Sequence, residues 1–367
     1  MKPDFTQLRD ILNQNLGVHK NNCETVIDFT LSLHKARTVN LSIMSNYSMR
    51  IGNVKSLSIY KNFQRLVHDC KISQPDLAKC IITMFELQNC KLTLALDRTN
   101  WRYGKGDINL LVLSVCLLGC SIPLYWKELN SRGNSNTAER IALLDLFIAD
   151  FGTKNIDYLL ADREFIGGDW FTYLNKLGIN FVIRIKSNML MHNKSGEQVK
   201  CGQFFKLATR NQPLFEPIII DGVCLAAEAT RSFDNKLVVV VSNKVNANNL
   251  LITYKKRWRI ECLFSSLKTR GFNFEDTHIT DKVRIGNLTK LVVIAFAICY
   301  LIGLVRASVV PIIIKKHGYK QNSYFRYGFE LLIQKLSKGI SETIKLITIC
   351  FSALTLEQKC KKLICVM

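Results

Sequence analysis

The sequence lacks most of the patterns that mark a metal cluster, a nucleotide site or export. Its thirteen cysteines form no Cys-x-x-Cys pair and no cluster with histidine, which argues against a zinc site. It has no phosphate-cradling glycine loop, and this argues against an ATP-driven enzyme. The first fourteen residues contain no apolar stretch of the kind that a secretory signal peptide needs. We therefore expect a cytoplasmic protein.

The cysteines are expected to be reduced and buried, because most of them lie in apolar runs. A free cysteine behaves as a small hydrophobic residue, and disulfides are rare in the cytosol. The residues on which this expectation depends are Cys90, Cys116, Cys120, Cys224 and Cys299.

Acidic residues are scarce, with 29 Asp and Glu against 50 Lys and Arg, a formal charge of +21 and a pI near 9.5. This bias favours a polyanionic partner, most simply nucleic acid. An anionic membrane is disfavoured because the charge is spread along the chain. The apolar run 291–305 has 15 residues, fewer than the ~20 of a membrane span, so we expect a buried helix and no membrane partner.

The 367 residues are expected to form two or three domains. Residues 1–88 show helical periodicity with basic faces, which suits a helical DNA-binding domain. A plain helical oligomerisation domain is the alternative. Residues 307–367 are predicted to be helical as well. Their segment 329–354 could pair two protomers or could cover the core of one, and the basic, aromatic segment 315–327 is consistent with phosphate contacts.

Residues 89–306 are predicted to form an α/β domain. Strands are expected at 91–96, 108–118, 121–127, 156–161 and 180–185, with helices at 137–151, where Thr137 is the candidate cap, and at 169–177. Three strands, a helix, a strand, a helix and a strand is the order of an RNase H-like domain. The stretch of about 187–245 is predicted to be a β-rich insertion in this domain, with strands at 199–207, 214–227 and 236–242.

Two apolar strands each deliver an aspartate, in LALDR and LLADR, at Asp97 and Asp162. Fully apolar strands are typical of parallel neighbours in a covered sheet. At ~4.8 Å between strands, the two carboxylates would lie side by side, which is unfavourable unless a cation neutralises them. Other carboxylates compete less directly for the role, namely Asp107, Asp157, Glu164 and Asp169.

The proline-free core of the stretch 251–276 is predicted to be a helix that ends at Gly271. It carries Tyr254, Arg257, Glu261 and Lys268, whose spacing places them in a stripe about 60° wide. Ile252, Ile260, Leu263 and Leu267 are expected on the opposite, buried side. The stripe could be a solvated face with an ion pair. Flanking aromatic residues and a single carboxylate among cations favour a metal ligand beside a polyanion instead.

The pattern Y-x2-R-x3-E-x6-K, formed by Tyr254, Arg257, Glu261 and Lys268, resembles the signature of the IS4-type insertion-sequence transposases. With the two upstream aspartates and the β-rich insertion, the resemblance covers about residues 94–268. These enzymes belong to the DDE group and have an RNase H-like catalytic domain. The resemblance implies that the catalytic residues and metal ligands are Asp97, Asp162 and Glu261.

The same resemblance implies cut-and-paste transposition with two Mg²⁺ ions, for which Mn²⁺ can substitute. The partners would be double-stranded DNA, as terminal inverted repeats and target, and a second copy of the chain in a synaptic homodimer. The location would be cytoplasmic, at the nucleoid. DNA contacts would come from Tyr254, Arg257 and Lys268, and from four residues next to the aspartates, Arg98, Asn100, Trp101 and Arg163. The alternatives are an RNase H-like structure-selective nuclease and a catalytically decayed DNA-binding protein.

Overall fold

A computed structural model describes residues 5–104, 106–130, 133–244, 249–352 and 355–359. The predictions for residues 1–4, for the last residue of the insertion and for residues 360–367 lie outside these ranges. The chain divides into two compact units. The helical unit comprises Met1–Asn89, Asn100–Ile108 and Cys262–Met367, and the sheet unit comprises Cys90–Thr99 and Asn109–Glu261.

The first part of the helical unit is made of short helices, as predicted. They are α1 (Thr6–Leu16), α2 (Lys20–Ala36), α3 (Leu41–Ser45), α4 (Ser56–His68) and α5 (Gln74–Met84). Ser73 caps α5 by accepting a hydrogen bond from the backbone of Asp76, and a proline stands in the first turn, where its missing N–H costs nothing. In α4, Ile59, Phe63 and Val67 form the buried stripe, so its basic residues face outwards.

The sheet begins with the arrangement that the sequence predicts for an RNase H-like domain. The strands β1 (Leu92–Tyr103), β2 (Gly106–Cys116) and β3 (Ser121–Glu128) are followed by α6 (Thr137–Phe151), β4 (Ile156–Ala161), α7 (Gly168–Lys176) and β5 (Phe181–Ile185). Their order in the sheet is β3-β2-β1-β4-β5. The pairs β1–β4 and β4–β5 are parallel, and β2–β3 is antiparallel. The predicted α/β class with helices at both chain ends is confirmed.

Two local predictions in this part are wrong. Asn136, rather than Thr137, caps α6, and its side chain and that of Glu139 form a capping box with each other's backbone N–H groups. The first strand does not end at Asp97 but continues to Tyr103, because β2 runs beside β1 after the shorter β4 has ended.

The β-rich insertion extends the same sheet. After β6 (Leu190–His192), β7 (Gln198–Lys200) and the short α8 (Cys201–Phe204) come β8 (Leu214–Ile220), β9 (Val223–Arg231) and β10 (Leu237–Ser242). Because β10 pairs antiparallel with β5, the sheet has ten strands in the order β3-β2-β1-β4-β5-β10-β9-β8-β6-β7. The predicted strand 199–207 is wrong, since most of it is helix and turn. The predicted strand 214–227 is two strands, separated by a turn at Asp221 and Gly222.

The chain then forms α9 (Leu250–Lys255) and α10 (Trp258–Leu267), followed by α11 (Lys282–Val309), α12 (Tyr324–Lys338) and α13 (Ile340–Phe351). Within the residues described, α11 is the one helix long and apolar enough to cross a membrane, but 89% of its apolar window is buried inside the protein. The prediction of a buried helix at 291–305 is therefore confirmed.

Close packing holds α12 against α11. A Cβ on Gly303 would lie 1.8 Å from the backbone oxygen of Tyr324, and one on Gly328 would lie 1.9 Å from that of Cys299. The segment 329–354 is not one helix, because α12 ends at Gly339, whose φ of 145° favours glycine. The apolar face of α13 is buried against its own protomer.

The cysteine prediction is confirmed only in part. The cysteines in the described part of the chain form no disulfides, and Cys120 and Cys299 are buried. Cys116 is half-buried, and Cys90 and Cys224 are exposed. Cys224 lies on β9 at a position whose side chain faces away from the core, so an apolar sequence context did not determine its burial.

Candidate active site

Two neighbouring parallel strands bring Asp97 and Asp162 together. The register of β1 and β4 pairs Leu96 with Ala161, and each aspartate is the next residue in the chain. Adjacent strands lie about 4.8 Å apart, so the two side chains are neighbours at the same edge of β4. The apolar strands position them there, because β4 is buried at Leu159, Leu160 and Ala161.

Arg257 joins Asp97 to Glu261. Its Nη1 donates to Asp97 Oδ2 at 2.7 Å, and its Nη2 donates to Glu261 Oε1. The guanidinium is largely buried, with its side chain 12% exposed, and its Nε has no hydrogen-bond partner among the described residues. One cation therefore lies between two of the three carboxylates that the sequence predicts to be metal ligands.

The prediction of one continuous helix ending at Gly271 is wrong, and the reason lies at Arg257. The backbone N–H groups of Lys256 and Arg257 donate to residues three positions back, and so do those of Arg259 and Ile260, with distances of 2.9–3.1 Å. These tighter bonds separate α9 from α10. The second helix ends at Leu267, before Gly271. On the predicted apolar side, Ile260, Leu263 and Leu267 are buried but Ile252 is exposed.

Burial controls the ionisation of Asp97. Desolvation raises the pKa of its carboxyl to about 7, although Arg257 and the backbone N–H of Arg98 lower it. Asp162 and Glu164 raise it further because they add negative charge nearby. An ionised carboxylate is what a metal ion binds, so binding at Asp97 should tighten as the pH rises towards 7.

The side chain of Arg98 is bound inside the site. Its Nε and Nη2 donate to the two carboxylate oxygens of Glu164 at 2.5 and 2.8 Å, and its Nη1 donates to Asn109 Oδ1 at 3.0 Å. The backbone N–H of Glu164 in turn donates to Asp162 Oδ1 at 2.9 Å. Arg140 supports the same loop by donating to the backbone oxygen of Glu164 at 2.9 Å. This network links the loop after β4 to β1 and so fixes the two aspartates relative to each other.

Sequence reasoning gave Glu164 only as a competing carboxylate and missed its role as the partner of Arg98. The available signal was its position two residues after Asp162, where a backbone N–H commonly donates to the aspartate side chain. Asn109 gave no signal, because it lies on the neighbouring strand β2 and its contact depends on the sheet order.

Tyr254 and Arg163 lie in the same unit but differ in exposure. Tyr254 packs against the buried cluster of Leu160, Val182, Ala226, Val240 and Leu250, and the Arg257 guanidinium lies 5.6 Å from its ring. Desolvation by this packing raises the pKa of its phenol. Arg163 is exposed, so its side chain is accessible to a ligand.

The helical unit holds the three other residues predicted to contact DNA. Lys268 Nζ lies 2.8 Å from Glu275 Oε1, donates to the backbone oxygen of Asn100 at 3.2 Å and lies 5.9 Å from the Trp101 ring. Trp101 is buried and its ring lies 5.0 Å from that of Phe274. Lys268, Asn100 and Trp101 are therefore neighbours, with the lysine still partly exposed at 22%.

The donor set suits a hard divalent cation. Asp97, Asp162 and Glu261 offer carboxylate oxygens, the ligands that Mg²⁺ and Mn²⁺ prefer. In the described parts of the chain, no three His, Cys, Asp or Glu side chains converge closely enough to hold an ion as they stand. The Arg257 guanidinium is the cation bound to Asp97 and Glu261 here.

Comparison with known proteins gives a family but no curated relative. No curated protein sequence is significantly similar to the chain. Among solved structures, the piggyBac transposase synaptic complex with hairpin DNA is similar at a TM-score of 0.44 and 11% identity, covering 91% of this chain and 72% of that one. Endonuclease V from Bacillus subtilis is similar at a TM-score of 0.26 and 15% identity, covering 53% of this chain and 85% of that one. The family model described as the transposase DDE domain matches residues 88–299, more than half of the sequence. The chain therefore belongs to the DDE family of DNA transposases, whose members generally use divalent metal ions.

Proposed function

We propose that the protein is an IS4-type insertion-sequence transposase that cuts the ends of its element and joins them to target DNA. The catalytic residues would be Asp97, Asp162 and Glu261. One observation carries the proposal. Asp97 and Asp162 directly follow the paired residues Leu96 and Ala161 of two parallel strands, and the Arg257 guanidinium joins Glu261 to Asp97.

The three carboxylates would hold two Mg²⁺ ions, with Mn²⁺ as a substitute. When bound, the ions would activate the attacking water or 3′-hydroxyl and stabilise the leaving oxygen. The contribution of the protein is to keep the carboxylates in place. Arg98, bound to Glu164, fixes the loop after β4, while Arg257 would hold Asp97 and Glu261 only until the ions replace it.

Arg257 would have a second role towards DNA. Displaced from the carboxylates, its guanidinium presents paired N–H donors that match a phosphate. Tyr254, whose ring lies beside that guanidinium, would orient it or hydrogen-bond the same phosphate. Lys268 is held by a single carboxylate, Glu275, and would supply a further phosphate contact. Exchange of a carboxylate for a phosphate keeps each cation paired, so neither step leaves a buried charge alone.

The test of the proposed function is nicking of a labelled duplex from the DNA that flanks the gene. Nicking at the element end should require Mg²⁺ or Mn²⁺ and stop with a chelator. Ca²⁺ should support binding without cutting. A protein that binds this duplex but never nicks it with Mn²⁺ would be the decayed DNA-binding alternative, and one that nicks any branched duplex equally would be the structure-selective nuclease.

End recognition would rest on a basic groove in the helical unit, between α4 and the start of α11. Lys61, Arg65, His68 and Arg284 line a cavity of about 420 Å³ together with Gln64. A second cavity of about 280 Å³ shares Gln64 and Arg284 and adds polar residues from 277–281. His68 is paired with Asp69, whereas Lys61 and Arg284 have no ion-pair partner among the described residues. Unpaired cations along a groove suit the phosphates of a DNA backbone.

We expect the double variant Lys61→Ala/Arg284→Ala to weaken binding of the end duplex. Its plot of log affinity against log salt should have a slope smaller by about two units, one for each phosphate that the protein no longer binds. The matched control is Lys338→Ala/Lys345→Ala, which removes two exposed lysines from α12 and α13. An equal change of slope in the control would contradict the assignment.

Point variants are preferable to deletion of residues 1–88. The helix α11 packs against α2, α4 and α5, and Asn287 Nδ2 donates to the backbone oxygens of Val67 and His68 at 3.0 and 3.2 Å. Deleting the first helices would expose the apolar surface of α11. The proposed domains, at 1–88, 89–306 and 307–367, therefore describe roles along the chain rather than fragments to be expressed alone.

The active form would be a homodimer that holds both ends at the nucleoid, because cut-and-paste transposition needs the two ends together. Light scattering of the protein with end duplex should give the mass of two chains and two duplexes. A complex of one chain and one duplex that nicks at the full rate would refute the dimer.

A further inference from the structure

The loop after α11 folds back on itself as a small hairpin held by one antiparallel bridge between Ile314 and Lys320. We call it the basic arm and define it as residues 313–321. The backbone N–H of Lys315 donates to the backbone oxygen of Tyr319 at 2.9 Å, and the backbone N–H of Gln321 donates to the backbone oxygen of Ile313 at 2.8 Å. Gly318 makes the turn, with a φ of 81°. All nine residues of the arm are exposed, whereas the preceding Ile312 is buried.

The base of the arm is held firmly. The hydroxyl of Tyr327 in α12 donates to the backbone oxygen of Val310 at 3.1 Å. Arg306 donates to the backbone oxygen of Tyr327 at 3.0 Å, and its guanidinium lies 4.0 Å from the Tyr327 ring. These contacts fix the point where the chain leaves α11, so the arm projects from a rigid base.

The charge of the arm is of one sign. Lys315, Lys316, His317 and Lys320 are within nine residues, and no Asp or Glu occurs from 282 to 329. Lys320 Nζ contacts the Tyr324 hydroxyl. Lys315 and Lys316 have no carboxylate partner among the described residues, so their charges are available to a polyanion.

Apolar side chains accompany these cations on both faces of the arm. Ile313, Ile314 and Tyr319 are 65%, 66% and 74% exposed. Ile314 pairs with Lys320 and so shares a face with it, while Ile313, Lys315 and Tyr319 alternate onto the other face. A hairpin that covers a protein core has one apolar face and one polar face. Here each face combines isoleucine with lysine, which suits a partner that surrounds the arm.

We propose that the basic arm inserts into the major groove of the DNA on which the protein acts. This rests on the proposed function, and it adds a DNA-reading element outside the active site. The major groove, about 12 Å wide, admits a two-stranded β-ribbon. Lys315 and Lys316 contact the phosphates along its edges. Ile313, Ile314 and Tyr319 contact base edges, where the thymine methyl groups are the apolar ligands.

Binding to a duplex of the gene-flanking DNA, measured over a range of salt concentrations, separates the charged contacts of the arm from its apolar contacts. Lys315→Ala/Lys316→Ala should lower the slope of log affinity against log salt by about two units. Ile313→Ser/Ile314→Ser should weaken binding with the slope unchanged. The control is again Lys338→Ala/Lys345→Ala, expected to alter neither quantity. All substitutions lie on exposed side chains, and unchanged thermal melting confirms that each variant is folded.

A duplex with uracil in place of thymine tests the groove directly, because it lacks only the major-groove methyl groups. The wild-type protein should bind it about fourfold more weakly for each methyl contacted. The Ile313→Ser/Ile314→Ser variant should bind the two duplexes equally. An equal uracil effect in wild type and variant overturns the inference, as does wild-type binding by all arm variants.

Two other results overturn the inference without touching the proposed function. The arm variants could lower the mass of the DNA-free protein in light scattering while binding DNA normally, which would make a second copy the occupant. Alternatively, the arm variants could bind DNA normally but lose binding to phosphatidylglycerol vesicles, which would make a lipid surface the partner of the arm. Failure of the proposed function would show in a different assay, because Glu261→Ala would then still nick the end duplex.

Discussion

Replacement of Asp97, Asp162 or Glu261 by alanine is expected to abolish nicking of the element end while leaving binding of that end near the wild-type level. Each substitution removes a carboxylate that would hold a metal ion, but none removes a cation that would contact a phosphate. Binding should even tighten slightly, because a negative charge that repels DNA is removed.

The expected loss of rate is large. A metal ion acting as a Lewis acid contributes several kcal/mol of transition-state stabilisation, so its loss corresponds to about a 10³-fold slower reaction or more. Nicking and binding should be measured on one labelled end duplex under the same salt and Mn²⁺ conditions. Asp97→Asn and Glu261→Gln should behave like the alanine variants, because a neutral amide is a poor ligand for a hard cation.

Asp169→Asn is the matched control for these variants. It removes an exposed carboxylate close in sequence to Asp162, from the first turn of α7. Its nicking should stay within a few-fold of wild type. Full nicking in Glu261→Ala would exclude Glu261 from the catalytic set and would contradict the proposed transposase mechanism.

The parts of the fold that the sequence predicts best are those with a strong apolar pattern. The strand 156–161 and the helix 137–151 are found with the predicted bounds, and α11 is buried as its composition indicates. Apolar periodicity determines these elements because burying their side chains dominates their stability. The same pattern predicts that the apolar residues before Asp97 and Asp162 belong to neighbouring parallel strands, as the pairing of Leu96 with Ala161 confirms.

The features that sequence reasoning missed depend on contacts between distant segments. Helical spacing predicts an unbroken stripe from Tyr254 to Lys268, but Arg257 instead reaches a carboxylate 160 positions earlier in the chain, and the backbone tightens into a turn there. The ion pair between Arg98 and Glu164 links residues 66 positions apart. Arg98 and Arg257 were both predicted to contact DNA, because the sequence shows their charge but not the carboxylates that they pair with.

Replacement of Arg257 by alanine is expected to tighten binding of Mn²⁺ to the DNA-free protein. In the wild-type protein a metal at the proposed site would have to displace the Arg257 guanidinium, which is hydrogen-bonded to both Asp97 and Glu261. Without that competitor, we expect the affinity for Mn²⁺ to rise by about tenfold or more, which corresponds to about 1.4 kcal/mol. Isothermal titration should be run well above pH 7, because the Asp97 pKa of about 7 is already lowered by Arg257 and rises further when Arg257 is removed.

The same variant should be less stable when no metal is present. Removing one partner of a buried ion pair costs about 3 kcal/mol, because it leaves the other charge uncompensated. Most of this cost should come from Asp97, whose side chain is 14% exposed, since Glu261 is 35% exposed and better solvated. Added Mn²⁺ should therefore raise the melting temperature of Arg257→Ala more than that of the wild-type protein. The salt slope of end binding should fall by about one unit if Arg257 contacts one phosphate.

The Arg98→Ala variant tests whether tighter Mn²⁺ binding comes from removing Arg257 as a competitor of the metal or from removing any buried arginine near the proposed site. Arg98 is about as buried as Arg257 and is also paired with a carboxylate, but its partner is Glu164. Its removal should lower stability and loosen the loop that carries Asp162, so Mn²⁺ binding should weaken or stay unchanged. Tighter binding in Arg257→Ala but not in Arg98→Ala would assign the competition to the guanidinium between Asp97 and Glu261. Equal or weaker Mn²⁺ binding in Arg257→Ala would show instead that Arg257 is needed to hold the two carboxylates in place for the metal.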